Sequence, residues 1–231
     1  MYHALGTPAD GDFLGIYSIA PARFETHMRY LVEHYRESLV PLEAAALSTD
    51  RFRVAVTFDD GYRDTWAVGA PLLREMGIPF TVFVCTGAVA GQRMGFLTSD
   101  ELRTLAAQPG VSIGSHGASH VRLTECDDRR LRDELVDSRH YLEDLCGRGI
   151  VLLSYPHGAV DRRVRDAAAT AGYQIGGCSR FDCNAVGRDP LILCRTDIWA
   201  DDDISVFEQK LRGDWDWLRW IHSDPASCSG C

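Results

Sequence analysis

With 231 residues, 45% of them hydrophobic and 25% charged, the chain has the composition of a folded globular protein with room for a substantial core. A net charge of −9 argues against a nucleic-acid or anionic-membrane surface, which needs clustered cations. No run approaches the ~20 apolar residues of a membrane span.

Secondary-structure signals alternate along the chain. Pro21–Tyr35 reads as an amphipathic helix with Phe24, Met28, Leu31, Val32 and Tyr35 on one face and Pro21 in its first turn. An apolar strand over residues 52–58 follows, and Asp64 is placed to cap a helix running to about Met76 and ending at Gly77. Residues 80–85 read as a buried strand, Thr98 caps a helix to Ala107, and Val111–Ser115 is the next strand. A long helix over 127–146 stops at Gly147. Strand 150–155, helix 162–171, strands 173–178 and 191–198, and a last helix over about 204–221 complete the series. Strands alternating with helices imply a parallel sheet with crossover helices, and alternation alone does not separate an open sheet from a barrel. Neither an internal repeat nor a long linker divides residues 1–231, so one domain is expected, with 223–231 as a flexible tail.

Two clusters close apolar strands, Thr57-Phe58-Asp59-Asp60-Gly61 and, about 55 residues on, His116-Gly117-Ala118-Ser119-His120. If both strands are parallel members of one sheet, their C-terminal ends bring two carboxylates and two imidazoles to one rim. One carboxylate with two histidines makes a three-ligand divalent-metal site with a position open to water, and the second carboxylate is then free to act as a base. Successive side chains of a regular strand face opposite ways, so the turn at Asp60-Gly61 must let both aspartates reach the rim. Asp-Gly also initiates ordinary turns, and two histidines four apart share one side of a helical turn whether or not they bind an ion.

The two motifs, in this order, resemble those of the NodB-type polysaccharide deacetylases, carbohydrate esterase family 4. T-F-D-D-G is present unchanged, and H-(S/T)-x-x-H has Gly117 where Ser or Thr is usual. Ser154-Tyr155-Pro156-His157-Gly158 resembles the third motif. Met1-Tyr2-His3 and Leu193-Cys194-Arg195-Thr196-Asp197 extend the likeness over nearly the whole chain. The resemblance implies a distorted, incomplete (β/α) barrel of about seven parallel strands. It assigns Asp60, His116 and His120 to one divalent metal ion, zinc by default with Co²⁺, Ni²⁺ or Mn²⁺ able to use the same ligands, and Asp59 to the general base. It gives the backbone N–H of His157 to the oxyanion, with Tyr155, Pro156 and His157 at the substrate.

Departures from the pattern carry information too. Ser154 stands where the family usually has the arginine that orients the base, and Arg195 resembles the arginine of variants lacking that one; it is assigned to hold Asp59, a plain structural ion pair being the alternative. The usual C-terminal Leu-x-x-His is missed by one residue at His222. Tyr2-His3 instead resembles the acid motif of circularly permuted relatives that deacetylate poly-N-acetylglucosamine, so His3 is preferred over His222 as general acid. His27, His34 and His140 fall on predicted helices and read as solvated surface.

No basic segment followed by an apolar stretch opens the sequence, so a cytoplasmic protein is expected, a removed leader being the alternative. Lys210 stands alone against 23 arginines, a skew of genome composition rather than of binding. Of the eight cysteines, Cys85 and Cys194 read as buried thiols, and a domain of this size needs no disulfide framework. Cys228 and Cys231 have C-x-x-C spacing without a second pair. The leading function is a metal-dependent N-deacetylase of an N-acetylated amino sugar, with a small glycoside or glycoconjugate as partner. Hydrolysis of a cyclic ureide or imide, or an inactive sugar-binding homologue, are the alternatives.

Overall fold

The computed structural model describes residues 1–46 and 51–221. Helices α1 (Pro21–Tyr35) and α2 (Leu42–Ala45) precede strand β1 (Val56–Phe58); α3 (Ala70–Met76) leads to β2 (Phe80–Val84). Helices α4 (Thr86–Ala90) and α5 (Ser99–Ala106) lead to β3 (Val111–Ser115), α6 (Asp128–Cys146) to β4 (Leu152–Ser154), and α7 (Arg162–Thr170) to β5 (Ile175–Gly177). Helix α8 (Ile204–Leu211) comes last but for a 3₁₀ turn, Asp216–Ile221. The strands lie in chain order, all parallel. With helices covering the sheet, β2 is buried at every position, which is why its sequence runs apolar without alternation.

The expected seven strands reduce to five. Two further segments take the outer places through single parallel bridges, Tyr2 beside Phe58 and Leu193 beside Gly177. Backbone bonds from Met1 N to Thr196 O (2.9 Å) and from Ile198 N to Met1 O (3.0 Å) join these two segments. The sheet therefore curls round on itself with a poorly bonded seam. The strand expected over 191–198 fails because Pro190 opens a 3₁₀ turn, Pro190–Ile192, capped by Asp189, leaving only Leu193 to pair. Residues 52–55 likewise leave the sheet, and Val54 bridges Leu39 instead.

Other boundaries shift for local reasons. The helix expected from Asp64 begins with a wide π-helical turn, Thr65–Gly69, before α3; Pro71 has no N–H to continue the regular ladder. Asp64 does not cap it. Its Oδ2 accepts the N–H groups of Leu5 (2.7 Å) and Thr7 (3.0 Å), tying down the N-terminal loop. The last predicted helix stops at Leu211, before Gly213 at φ 80°. Thr98, by contrast, forms a full capping box with Glu101. No helix among the described residues is long and apolar enough to cross a membrane. His222, Cys228 and Cys231 lie outside the described residues.

His27 corrects the reading of it as surface, whereas His34 and His140 are exposed. Its ring is fully buried, stacked on Phe207 with centroids 4.2 Å apart. Nε2 meets the Asp202 carbonyl at 3.0 Å and Nδ1 the Tyr2 hydroxyl at 3.3 Å. A carbonyl only accepts, so Nε2 carries the proton and Nδ1 receives the phenolic O–H. Burial pushes the imidazole down to about 4. Below its ordinary value of 6.5 the unfolded chain therefore binds a proton that the folded chain refuses, and stability falls as pH drops from about 6.5 toward 4. Urea unfolding at pH 7 and pH 5 should show wild type losing up to about 2 kcal/mol more than His27→Gln. Equal losses would assign the acid sensitivity to other groups.

Candidate metal centre and active site

The site is assembled by two irregular turns at the C-terminal ends of β1 and β3. Asp59 N–H still pairs with Tyr2 O at 2.9 Å, but Asp60 takes φ 73° and Gly61 φ 81°. This left-handed step, uncommon for a non-glycine residue, cancels strand alternation and turns the second carboxylate toward the rim. Past β3, the His116–His120 stretch is not the helical turn its spacing suggests. Gly117 at φ 73° and His120 at φ 56° reverse the chain twice, and the two imidazoles converge from a loop.

Asp60, His116 and His120 each offer one atom to a group lying within 4.8 Å of one another. Asp60 Oδ1 is 3.3 Å from His116 Nε2 and 3.2 Å from His120 Nε2, yet this buried oxygen makes no hydrogen bond. His116 Nδ1 lies 2.8 Å from the Ser154 carbonyl, so Nδ1 carries a proton and Nε2 is the atom aimed at Asp60. Burial pushes the His116 imidazole down, but Asp59 and Asp60 outweigh it and raise its affinity for a proton. Two carboxylates and two ring nitrogens around an orphaned buried oxygen demand a positive charge. A divalent cation meets that demand with donors of the right type, and a bond from the other ring nitrogen to a carbonyl, as from Nδ1 to Ser154 O here, is how metal-binding histidines are usually held. The residues fit the ion.

Asp59 is built differently. Arg195 Nη1 and Nη2 donate to its Oδ1 and Oδ2 at 2.7 and 2.8 Å, and Ser154 Oγ donates to Oδ2 at 2.7 Å. Arg195 Nη2 also reaches Ser154 Oγ at 2.7 Å, and Nε reaches Cys178 O at 3.2 Å. Burial alone would raise the Asp59 carboxyl; Arg195, His116 and His3 together outweigh it and hold the group well below the usual carboxylate range. Asp59 is thus a fixed, ionised carboxylate 3.9 Å from His116 Nε2. Ser154, at the place of the missing arginine, hydrogen-bonds both partners of the ion pair.

The remaining residues divide. His157 is exposed at φ 58°, its ring 4.5 Å from that of His120 and its Nε2 3.2 Å from His120 O. Tyr155 is fully buried and donates its hydroxyl to Leu191 O at 2.7 Å, and Pro156 is buried as well. The side chain of Tyr155 belongs to the core. His3 packs on Tyr17 with centroids 4.6 Å apart, and its Nδ1 is buried without a partner. It lies close enough to lower the pKa of Asp59, Asp60 and Asp197.

The polysaccharide deacetylase family profile matches residues 46–176, more than half of the chain. The chain belongs to the polysaccharide deacetylase family. It is 29% identical over 181 residues to YxkH of Bacillus subtilis, a protein named as a polysaccharide deacetylase, covering 76% of this chain and 62% of that one. Over 122 residues it is 29% identical to the peptidoglycan-N-acetylglucosamine deacetylase of Bacillus cereus, covering 52% of this chain and 54% of the relative. The chain thus spans less than two thirds of either curated relative. Its fold is shared with the Streptococcus pyogenes deacetylase PplD, at TM-score 0.79 and 22% identity over 91% of this chain and 96% of the other. IcaB of Ammonifex degensii gives 0.68 and 20% over 93% and 94%.

Within this family member two positions close to the Asp59–Arg195 pair were given no role by the sequence. Asp197 is buried with Oδ1 unpartnered; burial pushes its carboxyl up against the pull of His3, the Met1 amine and Arg195. Its signal is spacing, since residues two apart in an extended segment share a face, and Asp197 stands two past Arg195. Gly177 is the other. A Cβ there would meet Arg195 Nε at 2.5 Å and Cδ at 2.7 Å, so the guanidinium reaches Asp59 only by lying across a bare strand. Arg195→Met should lower unfolding free energy by roughly 3–5 kcal/mol by stranding a buried carboxylate, and adding Asp59→Asn should recover most of that loss. Chemical denaturation of the three variants checks this; a double variant as unstable as Arg195→Met would show that packing, not charge, was lost.

Proposed function

We propose that this deacetylase hydrolyses the acetamide of an N-acetylated amino sugar in a metal-dependent reaction, giving acetate and a free amine. The observation that carries the reading is an ionised carboxylate, Asp59, held apart from the Asp60–His116–His120 trio yet beside it. A binding protein would have no use for that spare base. The name of the Bacillus cereus relative supports an N-acetylglucosamine unit as the substrate class.

Asp60, His116 and His120 would hold the divalent ion. When bound, such an ion supplies Lewis acidity to a carbonyl oxygen and to water. Asp59 takes the proton of the attacking water, and Arg195 with Ser154 fixes the direction in which its carboxylate faces. The His157 N–H is proposed as a donor to the developing oxyanion; its left-handed backbone sets the direction of that amide. His3 is proposed to protonate the leaving nitrogen; its ring packs on Tyr17 and its buried Nδ1 has no protein partner.

Asp59→Asn should keep the ion but lower kcat by roughly 10²–10⁴, whereas Asp60→Asn should lose the ion. Metal content and acetate release from N-acetylglucosamine oligosaccharides, measured on the same samples, decide this; an empty site in Asp59→Asn and a filled one in Asp60→Asn would reverse the assignments. Hydrolysis of allantoin in place of the acetylated sugar would move the protein to the cyclic-amide hydrolases.

A proton matters most for a poor leaving group. His3→Ala should depress amide hydrolysis strongly and spare an activated aryl acetate, whose phenolate departs unprotonated. Equal losses on both substrates would leave His3 a positioning role, and near-normal amide turnover would move the acid to another residue.

A further inference from the structure

The loop that carries the two histidine ligands is gripped from behind by one buried acid. Glu134, on α6, is 6% exposed. Its Oε2 accepts the N–H groups of Ala118 at 2.8 Å and Ser119 at 2.9 Å, and its Oε1 accepts the Ser119 hydroxyl. We infer that Glu134 is a positioning residue for metal binding, the clamp that sets the His116–His120 distance; the inference rests on the metal site proposed above.

The backbone accounting of the loop supports it. His116 N–H is still in the sheet, bonded to Val84 O at 2.9 Å. Gly117 N–H goes to Ser115 Oγ at 3.1 Å, and the next two amides both end on Glu134. On the other side, Thr86 N–H and Gly87 N–H hold the carbonyls of Gly117 and Ala118 at 3.2 and 2.7 Å. Such a segment has no regular secondary structure to fix its shape, so side-chain bonds must do so. His120 at φ 56° takes a left-handed conformation that is unfavourable for a non-glycine residue and persists only when neighbours enforce it.

Gly117 makes the close approach possible. A Cβ there would come within 3.3 Å of Glu134 Oε2 and 3.5 Å of Pro156 Cγ, at φ 73°. The residue that departs from the usual Ser or Thr of the motif is therefore the one beside the acid, where a side chain would press on the carboxylate. Glu134 in turn is fixed relative to the sheet. One turn on, Ser138 Oγ bonds Glu134 O at 2.6 Å and Ser115 Oγ, at the end of β3, at 2.8 Å. His116 thus follows directly on β3, and His120 is referred to the same strand through α6.

The test is titration of apoprotein with Zn²⁺ against a chromophoric chelator, together with the Co²⁺ absorption spectrum and thermal unfolding of the apoprotein. Glu134→Ala should weaken Zn²⁺ binding by about 10–100-fold, the range for loss of a group that supports metal ligands, and should alter the Co²⁺ spectrum. Glu134→Gln keeps an acceptor for the amide pair and should stay within about tenfold of wild type. If Glu134→Ala fails to fold, Ser119→Ala, which removes one of the three bonds, should still weaken binding measurably. Wild-type affinity and spectrum in these variants, with apoprotein stability alone reduced, would overturn the inference and leave the metal site standing. No Zn²⁺ binding by wild type would overturn both.

Discussion

The ion pair between Asp59 and Arg195 joins residues 136 positions apart in the chain, and much of the architecture follows from satisfying it. A carboxylate at the closed end of a parallel sheet has lost most of its water and needs a partner with directed donors. A planar guanidinium supplies two parallel bonds; a lysine would supply a point charge. That guanidinium arrives from beyond β5, on a segment that must return to the seam of the sheet and pass over Gly177 and the ring of Phe83, 5.2 Å below. The curl of the sheet and the fixing of the Asp59 carboxylate are one arrangement.

The seam has little strand ladder to hold it, and polar side chains do the work instead. Lys210, the only lysine, is buried and donates to Asp197 O at 2.9 Å and to Asp202 Oδ2 at 2.5 Å, over the Trp199 ring at 3.8 Å. Burial pushes its amine down while Asp202 and Asp197 pull the other way. The lone lysine of an arginine-rich chain is thus a structural charge in an aromatic setting. It fixes the carbonyl of Asp197, two residues past Arg195, and Asp202 in turn offers its carbonyl to His27. A chain of polar contacts runs from α8 through the seam to α1.

What could be read from the sequence was local. Continuous apolar runs marked β2 and β3, glycines in the left-handed region ended α3 and α6, and Thr98 announced its own cap. T-F-D-D-G and H-x-x-x-H pointed to ligand types because metal sites need particular donors close together. What could not be read depended on distant partners or on single backbone angles. Asp64 has every mark of a cap, yet Leu5 and Thr7 claim it. His27 looks solvated on its helix until Phe207 covers it. The strand over 191–198 is apolar enough, but Pro190 bends its start. The histidine pair has helical spacing and no helix, because Gly117 and the acid behind it favour a different path.

The contrast between Asp59 and Asp60 shows how much one backbone angle decides. The two residues are adjacent and chemically identical, and both are drawn well below the ordinary carboxylate range against the opposing effect of burial. Asp59 reaches that condition chiefly through Arg195, with His116 and His3 adding to it, so its charge is balanced within the protein. Asp60, turned away by φ 73°, leaves a buried Oδ1 with two imidazoles and no hydrogen bond. One environment supplies its own counter-charge and the other calls for an external one. Environments that treat neighbouring acids so differently are how a site gives two carboxylates two tasks. Here the two acids are set apart by two successive left-handed residues at the end of a strand, Asp60 and Gly61.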